Sequence, residues 1–217
     1  MKQYEYILFD WDGTIAKTLD IWFDALKGVL REKGCSFTDQ QIGADYALFE
    51  TRNSHLGEKN LEHIISEALA VSDKNISNVL LYEDAIQVLR SLKQAGKRLG
   101  IVTTSAHSVI EQLLEQFGMA SLFDVIIGGD DVTKQKPDAE PISKAINALS
   151  AKKSRTILVG DSDKDILGAR NAGIDSILFY PPRHSVYHDI EYLQSLKPTY
   201  TVETYPQVNR IILLKNS

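Results

Sequence analysis

The chain has 217 residues, 43% hydrophobic and 24% charged, with 24 Lys and Arg against 29 Asp and Glu. A formal net charge of -5 lacks the basic excess of a nucleic-acid binder, and no apolar run approaches the ~20 residues that span a bilayer. A single cysteine, Cys35, excludes an intrachain disulfide and fits a reducing compartment. The opening stretch MKQYEYILFDWDG is aromatic and acidic where a signal peptide needs a long apolar core, so a cytoplasmic protein is expected. The size allows one domain, or one domain carrying an insertion.

In chain order, the first element is the run Tyr4–Asp10, apolar and β-branched until it ends in acids. Aspartate and glycine are poor strand formers, so the strand stops at ILFDWDGT, with Asp10 and Asp12 at its tip. More than eighty residues without a convincing strand follow. Leu19, Trp22, Phe23, Leu26, Val29 and Leu30 form one amphipathic helical pattern, and Leu61, Ile64, Ile65, Ala68 and Leu69 form another. One crossover helix does not need so much chain. A helical insertion over residues 17–81 is therefore expected, with residues 1–16 and 82–217 as the core.

Beyond it, strand and helix patterns alternate. A helix over Glu83–Ala95 ends at Gly96, placed as a C′ residue. The strand-like run Arg98–Ser105 precedes a helix over Ser108–Phe117. Phe123–Asp131 reads as a third strand, and Pro141 opens a helix bearing Ile142, Ala145, Ile146 and Leu149. Thr156–Asp163, a helix over Asp163–Ala172, Asp175–Tyr180 and the weaker TYTVETY complete the series. Strands this uniformly apolar are buried on both faces, which predicts an α/β fold built on a parallel, doubly wound sheet.

In such a sheet ligands bind beyond the carboxyl ends of the strands. Those ends carry Asp10 and Asp12, then Thr103, Thr104 and Ser105, then Lys134 and Lys136, then Asp161, Asp163 and Asp165. Crowded carboxylates repel unless a cation joins them, and hard oxygen donors suit Mg²⁺. A Mg²⁺ with a lysine and hydroxyls forms a receptor for a phosphoryl group. One aspartate can attack phosphorus while its neighbour carries a proton.

The motifs FDWDGT, VTTS, KPDAEP and GDSDKD, in that order and at about these spacings, resemble the haloacid dehalogenase-like hydrolase superfamily over nearly the whole chain. The resemblance implies a three-layer α/β, Rossmann-like core with an inserted α-helical C1 cap, and Mg²⁺ as cofactor. By position, Asp10 matches the nucleophile, and Asp12 the general acid/base that also offers a backbone carbonyl to the metal. Thr103 matches the phosphoryl-binding hydroxyl, with Thr104 beside it, and Lys136 the lysine that neutralises nucleophile and phosphate. Asp161 and Asp165 match the metal-holding acids. Asp12 speaks against dehalogenase chemistry, because a halide leaves without a proton. The expected reaction is hydrolysis of a small phosphomonoester through an aspartyl phosphate, as in phosphoglycolate phosphatase-like members. A phosphomutase or a pyrophosphatase of the same superfamily, or a non-catalytic phosphate-responsive module, are the alternatives. The implied partner is a small phosphorylated metabolite, with no nucleic acid and no membrane.

Several residues carry plainer readings too. Thr104 and Ser105 can N-cap the next helix. Asp163 suits an N-cap or a first helical turn better than a metal, and Lys134 suits solvent. Asp130 and Asp131 shape the loop before Lys136, and His107 opens a helix. Lys17 stands where many relatives have an aspartate. In the cap, Arg52 can recognise a carboxylate or second phosphate and His55 can hydrogen-bond a polar leaving group, each against the alternative of a solvated loop. His184 and His188, in PPRHSVYHD, are expected on a surface loop.

Overall fold

The computed structural model describes residues 2–35, 37–39, 41–42 and 58–213. Six strands form one sheet: β1 (Tyr6–Phe9), β2 (Arg98–Val102), β3 (Val125–Ile127), β4 (Thr156–Gly160), β5 (Asp175–Phe179) and β6 (Tyr200–Val202). Their spatial order is β3-β2-β1-β4-β5-β6, and all five pairings are parallel. The strands are shorter than the apolar runs that mark them. The third run, for example, turns into a 3₁₀ helix at Gly129–Asp131.

Alternation along the strands feeds two cores. Ile7 and Phe9 face one layer with Leu99, Ile101, Ile157 and Val159, and Leu8 faces the other with Val102, Ile127 and Leu158. The first layer is covered by α3 (Ala85–Gln94), α4 (His107–Gln116) and α8 (Tyr205–Leu213). The second is covered by α5 (Glu140–Ala148) and α6 (Asp163–Ala172), with α7 (Ile190–Ser195) beside them. Both faces are thus apolar because both are buried, which is why the strand sequences lack a polar stripe.

After β1 the chain departs through α1 (Thr18–Glu32) and returns through α2 (Glu58–Asn75). Phe23, Leu26, Val29 and Leu30 of α1 pack with Ile64 and Ala68 of α2, and with Tyr187 from beyond β5. The Phe23 and Tyr187 rings meet edge-on at 5.3 Å. Tyr187 and Arg183 both donate to Asp20 Oδ1, at 2.5 and 3.0 Å. At the base of this excursion Ala16 and Leu81 pair antiparallel. Lys17 N–H donates to the Leu80 carbonyl at 2.8 Å, and Tyr82 N–H to the Ile15 carbonyl at 3.0 Å. The Lys17 ammonium pairs with Glu83 at 2.6 Å.

Two corrections concern ends and loops. The N-cap of α4 is Ala106, so Ser105 does not cap its helix, whereas Asp163 lies in the first turn of α6, behind the N-cap Ser162, as expected. His184 is wholly buried and His188 is only 17% exposed at its side chain, so the expected surface loop is a packed 3₁₀ turn. Tyr82, Phe179, Tyr180 and Tyr187 enclose His184, which local sequence does not reveal.

Candidate active site

Parallel register brings the strand ends level. Phe9 pairs with Ile101 and with Val159, so Asp10, Thr103 and Asp161 all emerge at the carboxyl edge. The ladder continues through Asp10 N–H to the Val159 carbonyl at 2.9 Å and Thr103 N–H to the Ile127 carbonyl at 3.0 Å. Gly13 then turns the chain at φ +71°, a left-handed conformation that favours glycine. A Cβ there would lie 2.3 Å from Asp161 Oδ2, so the turn is closed tightly onto that carboxylate.

Lys136 sits in the middle of the acids. Its Nζ donates to Asp10 Oδ1 at 2.8 Å, to Asp165 Oδ1 at 2.6 Å and to the Val102 carbonyl at 2.9 Å. All three N–H groups of this buried ammonium are thereby used. Asp165 Oδ2 accepts the backbone N–H and the hydroxyl of Ser162, at 3.1 and 2.6 Å. One carboxylate therefore both holds the lysine and closes the first turn of α6.

Asp12 is held separately. Its Oδ2 accepts from the Ser105 hydroxyl at 2.7 Å and the Thr103 hydroxyl at 3.3 Å. Ser105, weighed from sequence as a helix cap, instead orients Asp12. Thr104 is exposed, with its carbonyl against Gly129 rather than in the acid cluster. Asp161 Oδ1 accepts from Thr14 at 3.1 Å, and Oδ2 lies 3.0 Å from His188 Nε2. Thr14 and His188 are contacts that sequence reasoning missed. A Thr directly after the motif glycine was the available signal for the first, and nothing local signals the second. Arg52 and His55 lie outside the described residues.

Burial pushes the Asp10 carboxyl well above its ordinary value, against the pull of Lys136 and with the help of Asp165, Asp161 and Asp12. Burial disfavours the Lys136 charge, but Asp10 and Asp165 outweigh it and hold the ammonium charged. Burial also works against the Asp161 charge, yet the His188 hydrogen bond keeps this carboxyl below its usual range. An ionised Asp10 calls for more positive charge here than one ammonium supplies. Asp10, Asp161 and Asp165 each offer a buried oxygen, all within 4.8 Å of one another, a donor set that fits a hard divalent cation.

The loop before Lys136 is tied to α4. Asp130 Oδ1 accepts the His107 backbone N–H at 2.8 Å, and Asp131 Oδ2 lies 2.6 Å from His107 Nδ1. Lys134 is 71% exposed at its side chain and does not enter the site. The hydrogen bond to Asp131 raises the His107 pKa despite partial burial. That pair stabilises the fold fully below the unfolded histidine value of ~6.5 and loses its contribution as pH rises through the raised folded value. His107→Gln is expected to cost under about 1 kcal/mol at pH 6 and less at pH 9. Urea unfolding at the two pH values measures this, and an equal cost at both would remove the ion pair from the account.

Fold and site together define a doubly wound α/β protein with an acid–lysine centre at the carboxyl edge of its parallel sheet. A family model described as haloacid dehalogenase-like hydrolase matches residues 7–179, and the chain belongs to that family, which makes it a hydrolase. It is 38% identical over 135 residues to a protein named Pyrophosphatase PpaX from Halalkalibacterium halodurans, a match covering 62% of this chain and 60% of that relative's length. Another protein of that name, from Bacillus cereus (strain B4264), is 32% identical over 173 residues, covering 77% of this chain and 79% of the relative. A crystal structure of a predicted phosphoglycolate phosphatase from Haemophilus somnus aligns with a TM-score of 0.73 at 21% identity, covering 97% of this chain and 99% of that one, a likeness of fold. No helix among the described residues is long and apolar enough to cross a membrane.

Proposed function

We propose that the protein is a Mg²⁺-dependent phosphatase of small phosphomonoesters that works through an aspartyl phosphate. The observation that carries this reading is the pairing of Asp10 Oδ1 with Lys136 Nζ at 2.8 Å inside a cluster of buried carboxylates, with Asp12 held apart on hydroxyls. Asp10, Asp161 and Asp165, with the Asp12 carbonyl, would hold the metal. When bound, it would supply positive charge that favours ionised Asp10 and offsets charge growing on the phosphoryl oxygens.

In the first step an Asp10 oxygen bonds to phosphorus and the bond from phosphorus to the leaving oxygen breaks. Asp12, protonated, gives its proton to the leaving alkoxide. In the second, Asp12 takes a proton from water as that water's oxygen attacks phosphorus, the phosphorus–Asp10 bond breaks, and inorganic phosphate departs. Thr103 and the following backbone N–H groups bind phosphoryl oxygens. The Ser105 hydrogen bond fixes the Asp12 carboxylate within reach of the leaving atom. Residues 17–81 act as a cap on a core of 1–16 and 82–217, excluding water and selecting the leaving group. The antiparallel pair Ala16–Leu81 at its base supports that division.

Hydrolysis of inorganic pyrophosphate is the second reading, favoured by relatives that carry the name pyrophosphatase over 77% of this chain. Phosphate release from phosphoglycolate, pyrophosphate, sugar phosphates and nucleotides, with Mg²⁺ and with EDTA, separates the two. Turnover of none of them would sink the phosphatase reading and favour a phosphate-responsive binding protein.

The turn at Gly13 gives an independent check. Gly96 has the same left-handed backbone, φ +76°, but a Cβ there meets nothing within 4 Å. Gly96→Ala should cost about 1–2 kcal/mol of stability and leave turnover alone. Gly13→Ala should cost more and also lower turnover, because its Cβ displaces Asp161. Thermal melts and assays of the pair measure this, and equal behaviour would remove the contact from the site's design.

A further inference from the structure

A second cluster of ligand-bearing side chains leans on the first. A ring nitrogen of His184, a ring nitrogen of His188 and a carboxylate oxygen of Asp161 lie within 4.8 Å of one another. The two histidines are one turn apart, with His188 N–H donating to the His184 carbonyl at 2.9 Å, and their ring centroids are 5.9 Å apart. His188 Nε2 already stands 3.0 Å from Asp161 Oδ2.

A separate observation points to a missing ligand. His184 Nδ1 is buried with no hydrogen-bond partner among the described residues, while Nε2 meets the Tyr82 hydroxyl at 2.6 Å. A buried polar atom left unpaired costs about 1–3 kcal/mol. With Nε2–H donating to the Tyr82 oxygen, the Nδ1 lone pair is available to a metal, and the Tyr82 contact becomes the outer hydrogen bond that orients a metal-bound imidazole. A metal takes the neutral imidazole of each histidine, so its binding here releases any proton that they carry.

We infer that Asp161, His184 and His188 form a second cation site, suited to a borderline transition ion such as Zn²⁺ rather than to Mg²⁺. Two imidazoles and one carboxylate make a familiar Zn²⁺ donor set with a fourth position open, whereas Mg²⁺ prefers oxygen alone. The aromatic enclosure around His184 keeps bulk water from competing. Asp161 belongs to both donor sets, so Zn²⁺ here draws that carboxylate away from the Mg²⁺ set and inhibits hydrolysis. The inhibition rests on the phosphatase reading, and the site itself does not.

The test is equilibrium dialysis against Zn²⁺ with Mg²⁺ in excess. The wild type should retain one Zn²⁺ per chain, and NMR should show the imidazole signals of His184 and His188 shifting while those of His63 and His107 stay. His188→Gln, with its fold checked by circular dichroism, should bind Zn²⁺ roughly tenfold or more weakly. Asp10→Asn should bind Zn²⁺ as the wild type does. Absence of retained Zn²⁺, equal affinity in wild type and His188→Gln, or unmoved His184 and His188 signals would each overturn the site; the NMR arm needs no variant. Zn²⁺ retained as expected by a chain that hydrolyses no phosphoester would uphold the site and reject the phosphatase reading instead.

Discussion

Asp10→Asn is expected to abolish hydrolysis of p-nitrophenyl phosphate while the protein stays folded. The amide keeps the shape of the carboxylate but has no anionic oxygen to attack phosphorus, so turnover should fall by roughly 10³-fold or more. Stability should hold. Burial works against a charged Asp10, and the substitution removes that cost while Lys136 retains Asp165 as its partner at 2.6 Å. Phosphate release with Mg²⁺ and with EDTA, beside a thermal melt, reads both parts. Equal release by wild type and variant would make Asp10 a structural acid and end the nucleophile assignment. An inactive variant that no longer melts cooperatively would make the loss one of fold.

Lys136→Met should lose both activity and stability. The methionine fills much of the same space but supplies none of the three N–H bonds that reach Asp10, Asp165 and the Val102 carbonyl. Breaking a buried ion pair from one side strands charge in a dry site and costs about 3–5 kcal/mol. In a chain of this size that lowers the melting temperature by roughly 10 °C. The double variant Lys136→Met/Asp165→Asn should recover part of that temperature, because the stranded acid is now neutral, yet none of the turnover. A single variant that melts with the wild type would show that the carboxylates simply take up protons in place of the lysine.

Some of this was legible in the residues themselves. The run from Tyr6 to Phe9 is apolar at every position, and a strand with no polar face needs cover on both sides, which calls for helices in two layers. The placement of Gly96 after α3 was readable because a left-handed residue ends a helix. The convergence of Asp10, Asp12, Thr103 and Asp161 was readable because they closely follow β1, β2 and β4, and parallel strands deliver their carboxyl ends to one edge, whereas Lys136, past the 3₁₀ turn after β3, and Asp165, within α6, reach that edge through loop and helix. Thr104 belongs to the same motif as Thr103, yet it is exposed on the loop, since motif position does not say which side chain the loop turns inward.

Other features depend on partners far away in the chain. Ser105 precedes a helix and looks like a cap, but its hydroxyl spends its hydrogen bond on Asp12, 93 residues earlier. The stretch PPRHSVYHD has the prolines and polar residues of a surface turn. It is a turn, yet Tyr82, 102 residues before His184, closes over it, and Asp161 receives His188. Sequence by itself thus determined what acts within a few residues of its own position: strand and helix periodicity, helix stops, and the acids at strand ends. Tertiary structure alone decided which of those groups meet, because a hydrogen bond or a metal-ligand set is a matter of ångströms between residues that the chain holds a hundred positions apart.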